Sequence, residues 1–443
     1  MYNSSPSESP DATRWIVSQE GSRQSYAIPL AFHRLGLLRR FYVDTWCRWG
    51  RSLFKQGPKG LRALATHFNA ELPPELVVSF NSSVLLSRAQ FHLQRNRFSP
   101  DEIAAEYCRF GKKFAELVRD HLRRQDLDPK RDVFFGFNTN CLETIEYLRE
   151  NDVFTMVDQV DPGKVEEDLC VEEAERWPGW AKAPGRMPQS YWDRIAAEWN
   201  IADLVLVNSQ WSADALVKQG VPADKLIIVP LAIDFHGNRP IGAQGPLKVL
   251  WLGSVILRKG IQYLVEAARL LQKSKIEFLI AGPVGISDAV VRSFPSNVRL
   301  LGRITRDRLE EIYHQAHIFV LPTISDGFAI TQLEAMSYGL PVVATLNCGR
   351  VVTSGKDGLI VPARDGVALA EALASLDRDR DLLRVMSSNA LVTASKYDLP
   401  SNAQAIQKLV NQADEILNGV GFTFFAGFTK PPKIQRVGTI IAT

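Results

Sequence analysis

Short apolar runs alternate with segments of helical spacing along most of the chain. The run RWIVSQEG (14–21) precedes a helical segment at 28–38, and apolar runs at 132–138, 153–159 and 203–209 repeat the alternation. Buried apolar strands that alternate with helices are typical of parallel sheets covered by helices on both faces. The pattern therefore predicts an α/β fold built on doubly wound parallel sheets.

The alternation is interrupted once, by the Gly- and Pro-rich segment FHGNRPIGAQGP (235–246), and restarts with KVLWLG (248–253). A chain of 443 residues also exceeds the roughly 250–300 residues that one hydrophobic core accommodates. We therefore predict two Rossmann-like domains, at 1–235 and 247–398, with a linker at 236–246. A helix at 399–418 is expected to pack back towards the first domain, and the sparse periodicity of the tail at 419–443 predicts poor order.

Charge and composition narrow the classes of partner and the cellular setting. Lys and Arg number 52 against 49 Asp and Glu, and this balance argues against nucleic acid as the main partner. Basic residues concentrate between 14 and 62, which fits either a solvated basic face or a surface for an anionic membrane or anionic acceptor. The polar, acidic start and five scattered cysteines favour a cytoplasmic protein, with peripheral contact at the inner face of the membrane as an open alternative.

A basic pair lies where a ligand of the second sheet is expected. Open parallel sheets bind ligands at the carboxyl ends of their strands. In WLGSVILRKGIQ (251–262), Arg258 and Lys259 precede the helix that Gly260 opens. A cation at this point would neutralise the charge that builds up on a departing nucleotide diphosphate. A solvated helix cap is the alternative interpretation.

The segment SDGFAITQLEAMSYGLPVVAT (325–345) is the most specific signal in the chain. Asp326 is expected in a loop, and Glu334, eight residues later, about two turns inside the following helix. Carboxylates at the ligand edge of a sheet accept hydrogen bonds from sugar and ribose hydroxyls, whereas the alternative for Glu334 is an ordinary helix-surface acid. Further hydrogen-bonding groups are expected from Gly327, Ala329, Ile330 and Thr331.

These motifs resemble the retaining GT-B glycosyltransferases of family GT4, which carry a Glu, seven residues and a second Glu, with Gly-Phe-Gly after the first. Here the pattern consists of Asp326, Gly327, Phe328 and Ala329, followed by Glu334. The resemblance covers roughly residues 200–440 well and the first half in pattern only. It implies a GT-B fold, in which two Rossmann-like domains face a central cleft. It also implies metal-independent transfer of a sugar from a nucleotide diphosphate sugar to the hydroxyl of a glycan, lipid or small molecule.

The resemblance also implies roles for individual residues. Glu334 would hold the ribose, Asp326 would contact the transferred sugar, and Lys259 would bind the diphosphate. Many relatives carry an Arg after the Gly that corresponds to Gly253. Here Ser254 takes that position, which leaves Arg258 as a candidate substitute. The remaining donor-side expectations are Arg303 and Ile304 at the nucleobase and the backbone of 328–331 at the sugar and diphosphate.

The acceptor side departs from the family pattern. Relatives usually place a His after the strand that corresponds to 153–159, near the anomeric carbon, whereas Asp158 stands at that position here. Asp158 is therefore either a catalytic group or a cap of the next helix. The other acceptor candidates are Glu20, Gly21 and Ser22 after the first strand, and Gln159 and Asp161 beside Asp158.

Other classes of function compete with a transferase. A nucleotide-sugar epimerase, a phosphorylase or another GT-B enzyme would use the same fold, and a non-catalytic nucleotide-sugar-binding protein would need only the donor site. The combination of Lys259, Asp326 and Glu334 favours a transferase. Because His314 and His317 lack a third ligand, and the Asp-x-Asp of 377–381 sits in a charged turn, we expect neither a metal nor another cofactor.

Overall fold

The computed structural model describes residues 12–48, 57, 64–82, 91, 98–181, 185–237 and 245–417. These residues form two parallel sheets. The strands of the first sheet are β1 Arg14–Gln19, β2 Leu38–Val43, β3 Val77–Ser79, β4 Asp132–Phe137, β5 Phe154–Gln159, β6 Leu204–Val207 and β7 Leu226–Ile228. Their order is β3-β2-β1-β4-β5-β6-β7, and every neighbouring pair is parallel.

The second sheet repeats this plan after the linker. Its strands are β8 Leu247–Leu252, β9 Ile276–Ala281, β10 Val298–Gly302, β11 Ile318–Leu321, β12 Val342–Ala344 and β13 Gly358–Ile360, in the order β10-β9-β8-β11-β12-β13. Two doubly wound parallel sheets confirm the predicted fold class. The middle of the predicted linker (238–244) and the tail (419–443) lie outside the described residues.

Helices cover both faces of each sheet. In the first half they are α1 Ala27–Arg34, α2 Pro100–Leu122, α3 Leu142–Glu150, α4 Lys164–Arg176, α5 Gln189–Ile201 and α6 Gln210–Lys218. In the second half they are α7 Ile261–Leu270, α8 Asp288–Arg292, α9 Arg306–Gln315, α10 Thr331–Ser337, α11 Gly366–Arg378, α12 Arg380–Ala394 and α13 Leu399–Leu417.

The long helix α2 begins at a capping box. Ser99 Oγ accepts a hydrogen bond from the Glu102 N–H at 3.3 Å, and Glu102 Oε2 accepts one from the Ser99 N–H at 2.7 Å. This reciprocal pair satisfies two N–H groups that would otherwise lack partners at the helix start. The pattern of residues 47–100 predicts helical pieces and one strand, at 75–80. The segment is described only in part, and β3 confirms that strand.

Each sheet has its own apolar core. One face of the first sheet packs Trp15, Phe32 and Phe135 against the C-terminal helix α13, whose Ile406 and Leu409 are almost completely buried. The core of the second domain collects Trp251, Phe278 and Ile280 with the inner faces of α7 and α11. The chain therefore returns to the first domain at its described end.

Helix α4 follows β5 of the first sheet but packs on the second domain. Its Glu173 is fully buried, accepts hydrogen bonds from Gln262 Nε2 at 2.8 Å and the Tyr263 hydroxyl at 2.9 Å, and pairs with Arg364 Nε at 2.6 Å. Trp180, just after α4, is part of the second domain's core. Apolar packing and a buried charge pair thus join the two domains.

The basic stretch near the N-terminus is partly neutralised by acids from later in the chain. Arg14 and Arg39 both pair with the buried Asp132, and Arg34 pairs with Glu71 at 2.7 Å. Several of these cations therefore stabilise the first domain itself. Residues 49–56 and 58–63, which hold four further basic residues of the stretch, lie outside the described part of the chain.

Candidate active site

The loops at the carboxyl ends of β8, β9 and β10 are in direct backbone contact. The Gly253 N–H donates to the Ala281 carbonyl at 2.9 Å, and the Gly282 N–H donates to the Gly302 carbonyl at 2.8 Å. A Cβ at Gly282 would lie 1.7 Å from the Gly253 oxygen, so no side chain fits there. Ser254, next to Gly253, is exposed at this edge of the sheet.

Gly260 determines where the basic pair lies. Leu257–Lys259 form a single 3-10 turn, and Gly260 then begins α7 with a φ of +75°, a conformation that glycine adopts without strain. A Cβ on Gly260 would lie 1.8 Å from the Pro322 carbonyl oxygen. This close approach brings Arg258 and Lys259 against the loop that follows β11.

Lys259 and Asp326 form an ion pair at the centre of the site. Lys259 Nζ donates to Asp326 Oδ2, while Asp326 Oδ1 accepts a hydrogen bond from the Ala329 N–H at 3.1 Å. The two side chains are 19% and 13% exposed, so the pair is largely shielded from water. Burial, together with the neighbouring Arg258, lowers the pKa of Lys259 to about 8, which still leaves the ammonium mostly charged at neutral pH.

Ala329 takes the backbone conformation that explains the glycine of the family pattern. Its φ is +60°, in the left-handed region where a Cβ is strained. This geometry turns the Ala329 N–H back towards Asp326. The departure from Gly-Phe-Gly therefore keeps the local fold at the cost of some backbone strain.

Glu334 lies nearer the helix start than the spacing indicated. Because α10 begins at Thr331, Glu334 is in its first turn, and the prediction of two turns inside the helix was wrong. The Tyr313 hydroxyl donates to Glu334 Oε2 at 3.1 Å, and the Tyr313 ring stacks on Tyr338 at 4.7 Å between ring centroids. Tyr313 was missed by the sequence analysis because an apolar-face tyrosine in α9 carries no distinguishing signal.

The other donor-side candidates fall into two groups. Arg303 and Ile304 follow β10 at the same edge, with Arg303 exposed and Ile304 half-buried against the core. Phe328 instead packs inside the domain, and its carbonyl accepts hydrogen bonds from the Gly349 N–H at 3.1 Å and from Gln332 Nε2 at 2.7 Å. Ile330 and Thr331, at the start of α10, are half-buried.

Arg258 contacts groups of both domains. Its Nη1 donates to the Ser325 carbonyl at 3.0 Å and pairs with Glu166 Oε1, from α4, at 3.1 Å. In this structure Arg258 thus connects the two domains, and its substitution for the arginine missing at Ser254 stays a prediction.

Asp158 lines a cleft in the first domain. The cleft is small, with a volume of about 30 Å³, is partly open to solvent and is otherwise bounded mainly by apolar side chains. These lining residues are Ile28, Phe135, Val160, Leu206, Val207, Asn208, Val229, Pro230 and Leu231. Burial raises the pKa of Asp158 to about 7, with Arg23 opposing the shift and Asp161 adding to it. The capping interpretation was wrong, since Gly163 precedes α4 and Asp161 Oδ1 accepts the Gly163 N–H at 2.9 Å.

The remaining acceptor candidates lie at the same edge of the first sheet. Glu20 Oε2 accepts a hydrogen bond from Asn140 Nδ2 at 3.3 Å, and the Gly21 N–H donates to Asp44 Oδ1 at 2.7 Å. Ser22 is half-buried in the same loop.

Gln159 is fully buried, and its amide group is engaged within the protein. Its Oε1 accepts from Trp199 Nε1 at 3.1 Å, and its Nε2 donates to Asp161 Oδ1 at 2.9 Å. Gln159 therefore orients Asp161.

The described residues offer neither a cluster of metal ligands nor a membrane-spanning helix. They contain no group of three or more His, Cys, Asp or Glu side chains arranged to hold a metal ion. His317 follows α9 rather than lying on it, and its Nδ1 accepts the Lys248 N–H at 2.9 Å. None of the helices in the described part of the chain is long and apolar enough to cross a membrane.

Comparison with known proteins finds similarity to glycosyltransferases, chiefly in the second half of the chain. Residues 246–379 match the family described as Glycosyl transferases group 1. The D-inositol 3-phosphate glycosyltransferase of Nocardia farcinica is 28% identical over 255 residues, which cover 51% of this chain and 56% of that protein. The chain spans about half the length of the curated relatives it matches.

Solved structures share the two-domain architecture. Sucrose-phosphate synthase of Thermosynechococcus elongatus superposes with a TM-score of 0.63 at 19% identity, covering 90% of this chain and 99% of that one. HepE of Anabaena, solved in complex with UDP-glucose, gives 0.56 at 14% identity, with coverages of 90% and 99%. These likenesses show that the fold is GT-B, as the resemblance predicted, and the family match lies within the second domain.

Proposed function

We propose that this protein is a metal-independent, retaining glycosyltransferase of the GT4 type. It would transfer a sugar from a nucleotide diphosphate sugar, bound by the second domain, to a hydroxyl of an acceptor bound by the first. Relatives are named as glycosyltransferases, and HepE was solved with UDP-glucose, which makes a UDP-sugar the first donor to test.

The ion pair of Lys259 with Asp326 is the observation that carries the proposal. It places a shielded ammonium and a carboxylate at the carboxyl edge of the second sheet, next to the first domain. An ammonium neutralises the diphosphate, and a carboxylate binds sugar hydroxyls, so one pair holds both halves of a donor. Glu334, held by Tyr313 at the start of α10, supplies a second carboxylate for the ribose.

The reaction would break the bond between the anomeric carbon and the diphosphate oxygen. The bonding electrons leave with the diphosphate, whose added charge Lys259 stabilises. The acceptor oxygen forms the new bond on the face that the diphosphate leaves, and its proton passes to a phosphate oxygen. Asp158, with a pKa near 7 in the cleft of the first domain, would orient the acceptor or the sugar on the opposite side.

Substitution of Lys259 by Ala tests this proposal. Turnover of UDP-glucose or another donor found by thermal shift in EDTA should fall by about a hundred- to a thousandfold, because a preorganised cation at the leaving group is lost. Release of the nucleoside diphosphate, measured by chromatography in EDTA, reports the rate.

Lys356→Ala is the matched control, since Lys356 is an exposed lysine of the same domain and lies in a different loop from Lys259. It should leave the rate unchanged. Equal turnover in the Lys259→Ala protein would disprove the role of Lys259. Turnover that vanishes in EDTA and returns with a divalent ion would disprove metal independence.

A further inference from the structure

The loop that carries Asp326 is docked onto the first domain. We call residues 325–330, between β11 and α10, the donor loop. A Cβ on Gly327 would lie 2.6 Å from the Val160 carbonyl oxygen, so the backbones of the two domains touch there. The Gly327 carbonyl accepts hydrogen bonds from Ser209 Oγ and, at 3.3 Å, from Ser212 Oγ.

Ser325, on the other side of Asp326, is held by two further side chains of the first domain. Its hydroxyl donates to Glu166 Oε2 at 2.9 Å and accepts a hydrogen bond from Trp211 Nε1 at 3.1 Å. Ser325 is completely buried, so water does not compete for these bonds. Asp326 is therefore flanked on both sides by contacts to the first domain.

Glu166 also holds the turn that carries Lys259. It pairs with Arg258 at 3.1 Å, and the Arg258 carbonyl accepts the Ile324 N–H at 2.9 Å, just before the donor loop. One carboxylate of the first domain thus contacts the chain neighbour of each member of the Lys259–Asp326 pair. The side chains of Glu166 and Arg258 are 19% and 26% exposed, which limits screening by solvent.

We propose that Glu166, Ser209 and Trp211 form an interdomain latch that positions Asp326 and Lys259 for transfer. They are positioning residues, since they act through Ser325, Gly327 and Arg258. The latch rests on the proposed function and adds to it that the first domain, besides binding the acceptor, sets the geometry of the donor loop.

Glu166→Gln and Trp211→Phe test the latch with little change of shape. The first removes the charge that pairs with Arg258, and the second removes the N–H that binds Ser325. We expect kcat to fall about tenfold or more in each, because a small displacement of reacting groups is costly. Affinity for UDP, measured by calorimetry, should stay within about twofold, and Tm within about 2 °C. Hydrogen exchange of the unligated donor loop should rise.

Asp214→Asn is the control, because Asp214 lies on α6 with Trp211 and contacts the second domain through Arg350 at 3.2 Å, a residue outside the donor loop. It should leave kcat and donor-loop exchange unchanged. A kcat in both latch variants equal to that of an active wild type overturns the latch alone. Losses of kcat matched by equal losses in Asp214→Asn also overturn it, because they indicate general interdomain loosening. A wild type that neither binds UDP nor turns over any donor overturns the proposed function instead.

Discussion

At the scale of single residues, the site is built from charges that already have partners in the protein. Lys259 contacts Asp326, and Arg258 contacts Glu166, so both cations of the turn are neutralised before a donor arrives. Binding of a diphosphate therefore exchanges one anion for another around Lys259. Such an exchange costs less than burying a bare ammonium, because Lys259 is never left as an unpaired buried charge.

Asp158 yields a prediction about pH. Its pKa is raised from 3.8 to about 7, so the folded protein retains a proton there that the unfolded chain has lost above pH 4. Its contribution to the free energy of unfolding is therefore fully present below about pH 4 and declines as the pH rises to about 7. Asp158→Asn lacks this titration. The free energy of unfolding of the wild type minus that of the variant should therefore fall steadily from pH 5 to 7 and level off above.

Urea denaturation at pH 5, 6, 7 and 8 measures this difference. Glu198, whose pKa burial also raises to about 7, is present in both proteins and cancels in the comparison. Two parallel stability curves would show that Asp158 titrates near its ordinary pKa.

At the scale of elements, the hydrophobic periodicity predicted the strands and helices of the donor side, whereas it did not predict the details of the acceptor side. The apolar runs at β8, β11 and β12 are short, continuous and bounded by Gly or Pro, which identifies buried parallel strands. Strand β2 was missed because Arg39 and Arg40 interrupt its apolar run. The structure shows that Arg39 pairs with Asp132, a partner far away in sequence.

The same limit applies to the site. Lys259, Asp326 and Glu334 are near one sheet edge because strand ends meet there, and this was predictable from their places in the loops. The contacts of Glu166 with Ser325 and of Tyr313 with Glu334 depend on tertiary packing between segments distant along the chain. No local pattern encodes such pairings.

The close approach of Gly260 to Pro322 can be tested by substitution. Gly260→Ala adds a Cβ at a φ of +75° and 1.8 Å from the Pro322 oxygen, so α7 and the loop after β11 must separate. We expect a loss of more than about 2 kcal/mol in the free energy of unfolding, together with weakened binding of UDP. Denaturation in urea and calorimetry with UDP measure the two effects.

Gly355→Ala separates the two causes, because Gly355 has a φ of +81° but nothing within 4 Å of the added Cβ. It should cost only about 1 kcal/mol, from backbone strain, and leave UDP binding intact. Equal losses in the two variants would mean that strain, rather than the contact with Pro322, explains the choice of glycine.

At the scale of the whole molecule, the domains exchange segments. Helix α4 precedes the last strands of the first sheet yet buries Glu173 against the second domain. Helix α13 follows the second domain yet completes the core of the first. Each domain is therefore completed by a helix whose neighbours in sequence belong to the other domain. These two helices connect the domains at two further places and support the interdomain geometry that the latch requires.

This exchange predicts that a substitution near the chain's described end destabilises the domain at its beginning. Leu409 of α13 is 1% exposed in the core that contains Trp15 and Phe32. Leu409→Ala should lower the free energy of unfolding by about 2–5 kcal/mol through the cavity it leaves. Hydrogen exchange should rise in β1 and α1, more than 300 residues away in sequence, before it rises in β8 or α7. Lys408→Ala changes the exposed neighbour on the same helix and should alter neither. If exchange in the Leu409→Ala protein rises first in the second domain, α13 belongs energetically to that domain, and the first domain is stable without it.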